Sequence, residues 1–194
     1  MNVALPAFDR ETRRRLGQYF TGKQLARLLV ELAGANTAAS VIDPMAGSGD
    51  MLAQVVDTGE PLTRLGAIEI EPSAFERCRL RLTQVASEST QVVAELGNAF
   101  DPESWASLCE ASWDLVITNP PYVRYQRSTE ERSGQFSVPS ASAVRSGLGD
   151  VLACLDYLSP EYRSALQGLV GTYSGLADLA VPSWILCAAL VKPG

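Results

Sequence analysis

The sequence contains no histidine, and its four cysteines are too far apart to form a Cys-x-x-Cys pair. The lack of histidine argues against histidine general bases, Ser-His-Asp triads and the common zinc sites. We therefore expect no metal centre. Dispersed cysteines are typical of reduced core residues, so we expect a cytoplasmic protein. The four are Cys78, Cys109, Cys154 and Cys187.

Basic residues are outnumbered by acidic ones, 16 against 22, and the formal net charge is −6. A protein that holds nucleic acid unaided normally has a basic surface, because it must neutralise phosphates. Contacts with DNA phosphates would have to come from another region or from the basic clusters at 10–27 and 124–132. Both clusters can equally be ordinary solvated surface.

Long apolar runs are also missing. The most apolar stretch, residues 176–191, contains Asp178 and Pro182 and is short for a membrane span. No secretory signal opens the chain. We therefore expect a globular protein without a membrane partner.

Predicted strands and helices alternate along the sequence. Short apolar strands are predicted at 40–43, 65–70, 91–95 and 115–118, with helices between them from about residue 51, at 73–86 and at 102–110. Short connections between such elements predict an α/β fold, a parallel sheet with helices on both faces. Ligands bind to such sheets just past the carboxyl ends of the strands.

Further helices are predicted on either side of this region. Before it, four leucines recur at the spacing of one helical face, with Thr21 as a plausible N-cap. After it, residues 124–150 predict a long loop, and helical patterns follow from Asp150 and over 175–191, separated by Gly168 and Gly171. The leucines are Leu25, Leu28, Leu29 and Leu32.

Polar residues follow the first two predicted strands. Residues 43–50 form a glycine loop that leads into a helix, and glycine lets a ligand approach the backbone closely. Asp43 and Asp50 bring negative charge to this loop, which favours a cationic or hydrogen-bond-donating ligand over a pyrophosphate. Glu69 ends the second strand, where a carboxylate can accept from both hydroxyls of a ribose. Glu71 is expected to cap the next helix.

The fourth strand runs into Asn119-Pro120-Pro121-Tyr122. The prolines end the strand, and Pro120 keeps Asn119 extended, so that its amide projects forward. The Asn119 oxygen, the Pro120 carbonyl and the Tyr122 ring suit a planar amino group, with two acceptors in its plane and a ring over its face. The alternative interpretation is a rigid turn with a half-buried tyrosine.

This motif resembles that of the S-adenosylmethionine-dependent amino methyltransferases, above all the DNA adenine-N6 enzymes of restriction-modification type. The likeness covers residues 17–194 and implies a Rossmann-like class I methyltransferase fold. It implies methyl transfer from S-adenosylmethionine to the N6 amine of adenine in DNA. Relatives that methylate glutamine amides or RNA bases share the motif, so these substrates stay open. A non-catalytic scaffold that binds the cofactor stays open as well.

The resemblance also implies roles for single residues. Asn119 and Pro120 would accept from the target amine while Tyr122 stacks on the base. Tyr19 and Thr21 would fold over the methionine end of the cofactor, which Asp43 also faces.

For the nucleoside part of the cofactor, the resemblance implies contacts at the ends of the second and third strands. Glu69 would take the ribose hydroxyls and Ile70 would pack on the adenine. Asn98, where the family usually has aspartate, would accept from the adenine amine. Phe100 would line the adenine pocket, or would simply be a core residue. The further contacts implied are Met45, Ala46, Gly47, Gly49 and Ala99, and Asn119 is shared with the catalytic set.

The family's sheet has seven strands, more than this sequence supplies. We therefore expect residues 1–194 to be the amino-terminal portion of a methyltransferase catalytic domain, without its later strands and target-recognition domain. DNA would be held largely by the missing region. The sheet edge beside Val116 and Ile117 would be open to a partner strand or a second copy of the chain.

Overall fold

Four parallel strands form a single sheet in the order β3-β2-β1-β4. The strands are β1 (Ser40–Asp43), β2 (Arg64–Glu69), β3 (Gln91–Leu96) and β4 (Leu115–Val116). The computed structural model describes residues 21–58, 61–121, 140–173 and 178–192. The predictions for Tyr19 and Tyr122, and for the basic residues at 10–15 and 124–132, lie outside these residues.

Helices cover both faces of the sheet, which confirms the predicted fold class. Neighbouring strand residues point to opposite faces. Val41 packs with the first three helices, whereas Ile42 packs with the last three. The helices are α1 (Lys23–Leu32), α2 (Asp50–Val56), α3 (Pro72–Val85), α4 (Ala141–Cys154), α5 (Pro160–Thr172) and α6 (Ala180–Leu190).

The chain changes direction across the sheet between β1 and β4. It moves outward from β1 through β2 to β3, and then returns to place β4 on the other side of β1. The amide of Ile117 donates to the Ile42 carbonyl at 3.0 Å, which extends this pairing. A crevice opens beyond the carboxyl ends of strands at such a switch point. The segments that follow Asp43 and Val116 therefore meet there.

The edge of β4 is paired at its amino end. Trp113 and Val191 form a parallel bridge, in which the Trp113 amide donates to the Leu190 carbonyl at 2.9 Å. The Lys192 amide donates to the Trp113 carbonyl at 2.8 Å. Within the described ranges no further strand pairs with this edge along Val116.

Three predicted elements after β3 have different bounds. The helix predicted at 102–110 is a 3₁₀ turn, Pro102–Trp105, because the Trp105 indole turns back to donate to the Ala99 carbonyl at 3.0 Å. Helix α4 begins at Ala141, nine residues before the predicted start, and Ser140 caps it. Helix α5 runs through Gly168 and Gly171, since a helical glycine costs only about 1 kcal/mol.

Helix α1 does not bury the leucine face that its sequence predicts. Ala26 and Val30 face the core, whereas Leu25 and Leu28 are each 50% exposed and Leu32 is 76% exposed. Thr21 is not the N-cap, because Gly22 precedes the helix without a side-chain cap. The small residues let α1 approach α2 closely, and this packing overrides the leucine pattern.

Candidate active site

The glycine loop between β1 and α2 lies flat against α3. Gly47 and Gly49 have positive φ angles of 55° and 76°, which side chains rarely adopt. A Cβ on Gly49 would lie 2.9 Å from the Cys78 sulfur. The Ala46 amide donates to the Ile68 carbonyl at 2.9 Å and ties the loop to β2. The loop therefore needs glycine both for its turn and for its close packing.

Asp43 ends β1 beneath this loop and is fully buried. Its Oδ1 accepts from the Met45 amide at 3.0 Å, whereas Oδ2 has no hydrogen bond within the described residues. Burial raises the pKa of Asp43 to about 7, although the Met45 amide and the neighbouring Thr118 hydroxyl oppose the shift. Thr118 faces the carboxylate without a well-formed hydrogen bond. An unsatisfied buried carboxylate oxygen suits a cationic or hydrogen-bond-donating ligand.

Glu69 connects the glycine loop to the end of β2. Its Oε2 accepts from the Gly47 amide at 2.7 Å, and its Oε1 accepts from the Glu71 amide at 2.8 Å. The side chain is buried, and burial raises its pKa against the effect of these two amides. Each carboxylate oxygen can accept more than one hydrogen bond. Ribose binding by Glu69 therefore stays a prediction.

Two residues beside Glu69 complete the end of β2. Glu71 caps α3, because its side chain accepts from the amides of Ser73 and Ala74, as predicted. Ile70, between the two glutamates, is 37% exposed. It offers an apolar surface beside the glycine loop, as packing against a flat ring requires.

The three residues after β3 that were predicted to contact a nucleoside differ in burial. Asn98 is half-buried, and its Oδ1 accepts from the Phe100 amide at 3.0 Å. Ala99 and Phe100 are buried in the core cluster that contains Leu148 of α4. Phe100 therefore has the contacts of a core residue, and its role as a pocket wall stays a prediction.

Asn119 lies directly beside the glycine loop. Its Nδ2 donates to the Thr21 hydroxyl at 3.2 Å. The cleft between them has a volume of about 30 Å³, which admits only a small group. The cleft is lined by Thr21, Met45, Ala46, Gly47, Ser48, Asp50, Met51 and Asn119.

Five of the predicted site residues, from three separate segments of the sequence, thus line one cleft. Glu69 contacts this cleft through its hydrogen bond with the Gly47 amide. Ile70 and Asn98 lie at the neighbouring strand ends. The five are Thr21, Met45, Ala46, Gly47 and Asn119.

Sequence reasoning missed two supports of the loop. Arg81 on α3 pairs with Asp50, whose carboxylate also accepts from the Ser48 hydroxyl at 3.0 Å. The Ser183 hydroxyl on α6 lies 3.4 Å from the Met45 sulfur. Neither pattern has a sequence signal, because both depend on how separate helices pack against the loop.

A larger cleft of about 580 Å³ lies between α1 and the carboxyl end of α2. Its charged residues pair with one another, Lys23 with Asp57 at 3.9 Å and Arg27 with Glu31 at 2.9 Å. It lies away from the strand ends that carry the predicted site. The sequence contained no signal for it, and we assign it no function.

The family model described as N-6 DNA Methylase matches residues 2–170. The type II methyltransferase M.HincII of Haemophilus influenzae is 25% identical over 122 residues, which are 63% of this chain and 20% of that protein. A release factor glutamine methyltransferase of Bifidobacterium longum is 34% identical over 86 residues, or 43% and 29% of the two chains.

Among solved structures, the methyltransferase subunit of a type I restriction-modification system from Streptococcus thermophilus has the same fold. It matches with a TM-score of 0.59 and 15% identity, over 91% of this chain and 34% of that one. This chain therefore spans between a fifth and about a third of the length of these proteins. No helix in the described part of the chain is long and apolar enough to cross a bilayer.

Proposed function

Because the chain belongs to the N-6 DNA methylase family, we propose that it forms part of an enzyme that methylates the N6 amine of adenine in DNA. The observation that carries the proposal is the position of Asn119 beside the glycine loop, 3.2 Å from Thr21. A carboxamide at that point can hold a target amine next to a bound methyl donor. The name of the Haemophilus influenzae relative, a type II methyltransferase, supports the assignment.

The site fits S-adenosylmethionine, the methyl donor that family membership implies. When bound, this cofactor supplies an electrophilic methyl group on a sulfonium. Asp43 offers the unsatisfied Oδ2 that a cationic group would satisfy. Glycines at 47 and 49 let the loop turn tightly beside Asp43. Glu69 and Ile70 would hold the ribose and the purine ring.

The residues of this chain would act by positioning. An adenine amine is paired within the duplex, so the base must first leave the helix. The Asn119 oxygen and the Pro120 carbonyl would then accept from the amine and point its lone pair at the methyl group, while Tyr122 stacks on the base. In-line placement of two reactants supplies much of the rate, so a strong general base is not required.

We further propose that residues 1–194 are the amino-terminal portion of the catalytic domain. The proposal rests on the small share of each relative that the chain spans. Two features support it: the Trp113–Val191 bridge brings the segment after α6 alongside β4, and Leu25, Leu28 and Leu32 of α1 are exposed. Other regions would then supply most of the DNA contacts, and the open edge of β4 would take a further strand. We propose a cytoplasmic location for the enzyme.

A glutamine-amide methyltransferase is the second candidate. The 34% identity to the release factor glutamine methyltransferase over 86 residues favours it. A side-chain amide is also a planar amino group, and Asn119 could hold it in the same geometry. The two candidates therefore differ in substrate and not in the arrangement of the site.

Titration calorimetry with S-adenosylmethionine, followed by transfer of a tritiated methyl group, tests the proposal. Duplex DNA, tRNA and a glutamine-containing peptide serve as substrates. We expect the chain to bind S-adenosylmethionine, and label to appear in DNA once the regions that hold DNA are present. Label in the peptide alone would replace the proposal with the second candidate, and label in tRNA alone would indicate an RNA enzyme. If S-adenosylmethionine binds but no methyl group is transferred, this chain does not catalyse the reaction alone. If S-adenosylmethionine does not bind, the proposed cofactor site is wrong.

A further inference from the structure

The loop after β3, residues 97–101, is held by hydrogen bonds at successive positions. The Gly97 amide donates to the Glu69 carbonyl at 2.9 Å, and the Asp101 amide donates to the Asn98 carbonyl at 2.8 Å. The Ala99 carbonyl accepts from the Trp105 indole. The loop is therefore anchored to β2 and to the core.

Helix α4 packs directly on this loop. A Cβ at Gly147 would lie 2.0 Å from the Phe100 carbonyl oxygen, so only glycine lets the helix come this close. Phe100 itself is buried among core residues. The backbone around Asn98 thus has little freedom to rearrange when a ligand binds.

The side-chain amide of Asn98 has a defined orientation within this rigid loop. The Phe100 amide donates to the Asn98 Oδ1 at 3.0 Å. Because a backbone N–H can only donate, this contact identifies the oxygen of the carboxamide. Rotating the amide by half a turn would place Nδ2 against the same N–H and leave two donors facing each other. Asn98 therefore presents its NH₂ group away from the loop.

Asn98 follows the strand edge where the proposed nucleoside would bind. Leu96 of β3 pairs with Glu69 of β2, so Asn98 follows at the level just beyond Ile70. A purine ring packed on the exposed Ile70 side chain would turn one edge toward Asn98. At the 6-position adenine carries an amine, which is also a donor. Two donors cannot form a hydrogen bond, so the NH₂ group can pair only with the ring nitrogen N1 beside the amine, which accepts whether or not the amine is present.

We propose that the crevice binds the purine nucleoside of its cofactor without recognising the 6-amino group, because Asn98 meets that edge as a donor. This inference rests on the proposed function, since it requires S-adenosylmethionine in the crevice. Ring packing and ribose contacts then carry the affinity. An aspartate at position 98 would keep the bond to Phe100 with one oxygen and offer the other as an acceptor for the amine.

Titration calorimetry with S-adenosylhomocysteine and its 6-deamino analogue tests the inference. The two ligands differ only in the amino group, so the ratio of their dissociation constants isolates recognition of that group. For the wild-type chain we expect the two constants to agree within about threefold. For Asn98→Asp we expect the adenine compound to bind at least about tenfold more tightly, the usual effect of a hydrogen bond to a charged group.

Two further variants control the experiment. Asn36→Asp adds the same charge at an exposed position and should keep the wild-type ratio. Asn98→Ala removes both groups, and it too should show no preference for the amine. Thermal unfolding checks that each variant is folded.

The outcomes separate the inference from the proposed function. A wild-type chain that prefers the adenine compound by tenfold or more would overturn the inference and leave the cofactor site standing. An unchanged ratio in folded Asn98→Asp would also overturn the inference. If the wild-type chain binds neither compound, the proposed function fails and the inference fails with it.

Discussion

The side-chain amide of Asn119 donates to the hydroxyl of Thr21 at 3.2 Å, although the two residues are 98 positions apart in the sequence. The contact joins the segment after β4 to the segment before α1, over the glycine loop. It fixes the position of the carboxamide beside Thr21, because the hydroxyl can pair with either end of the amide. This position leads to the first two predictions.

Asn119→Ala should lower methyl transfer by at least about 100-fold, the usual cost of losing a group that positions a reacting centre. The dissociation constant of S-adenosylmethionine should change by less than about threefold, because Asp43, Glu69 and Ile70 remain. Tritium transfer and calorimetry measure the two effects. Asn36→Ala, at an exposed position, is the control. Unchanged turnover in Asn119→Ala would remove the basis of the proposed function.

Thr21→Val replaces the hydroxyl that accepts from Asn119 with a methyl group of similar size. We expect kcat to fall by about 5- to 10-fold, because a single neutral hydrogen bond contributes about 1 kcal/mol. Thr21→Ser keeps the acceptor and should retain most of the wild-type kcat. If the serine variant loses as much activity as the valine variant, Thr21 acts through packing and not through Asn119.

Asp43 should make the protein less stable as the pH rises. Its pKa is about 7 in the folded protein and 3.8 ordinarily, so between these values the folded state keeps a proton that the unfolded state has lost. The free energy of unfolding should therefore fall as the pH rises from about 4 to about 7. Asp43→Asn should remove this dependence. Urea unfolding at pH 5 and pH 7.5 measures this dependence. If the free energy of unfolding changes equally between the two pH values in the wild type and in Asp43→Asn, the prediction is wrong.

Asp114 should have the opposite effect, at lower pH. The Lys192 ammonium and the Ser40 hydroxyl and amide donate to its carboxylate and lower its pKa to about 2. This stabilisation is complete above about pH 4 and is lost as the pH falls toward 2. Asp114→Asn should lower the free energy of unfolding at pH 7 by about 2 kcal/mol and flatten its acid dependence.

Lys192→Met is the matched control for Asp114, because it removes only the partly exposed ion pair. It should cost less than about 1 kcal/mol. Denaturant titrations at pH 7 compare the two variants. A larger loss in Lys192→Met than in Asp114→Asn would show that the ion pair to Lys192, and not the bonds to Ser40, is the main contribution of Asp114 to stability.

Two glycine substitutions should have opposite effects on stability. Gly49→Ala puts a side chain at a φ of 76° and 2.9 Å from the Cys78 sulfur, so it should destabilise the fold by about 1–3 kcal/mol. It should also weaken cofactor binding, because the loop must shift. Gly168→Ala lies within α5, with open space around it, and should stabilise by about 0.5–1 kcal/mol. Thermal unfolding distinguishes them, and equal shifts would contradict the packing at Gly49.

Local chemistry made several parts of the fold predictable. An apolar run bounded by polar residues placed β1 at the residues the structure shows, and a glutamate before a proline identified the cap of α3. The same reasoning failed where packing outweighs local preference. Three of the four leucines of α1, Leu25, Leu28 and Leu32, remain exposed because Ala26 and Val30 bring that helix closer to α2. Helix α4 starts before Asp150 because Ser140 caps it and because Val144 and Leu148 are buried. The apolar pattern that predicted the helix begins only after these residues.

The sequence by itself determined the fold class, the glycine loop and the presence of Asn119 after a strand. These features depend on residues close together in the chain, where backbone preferences and hydrophobic spacing act directly. Only the tertiary structure decided which distant residues meet: Asn119 with Thr21, Arg81 with Asp50, and α4 with the Asn98 loop. It also decided which atom Asn98 presents. Such contacts depend on how all the helices and strands pack together, and no local pattern encodes them.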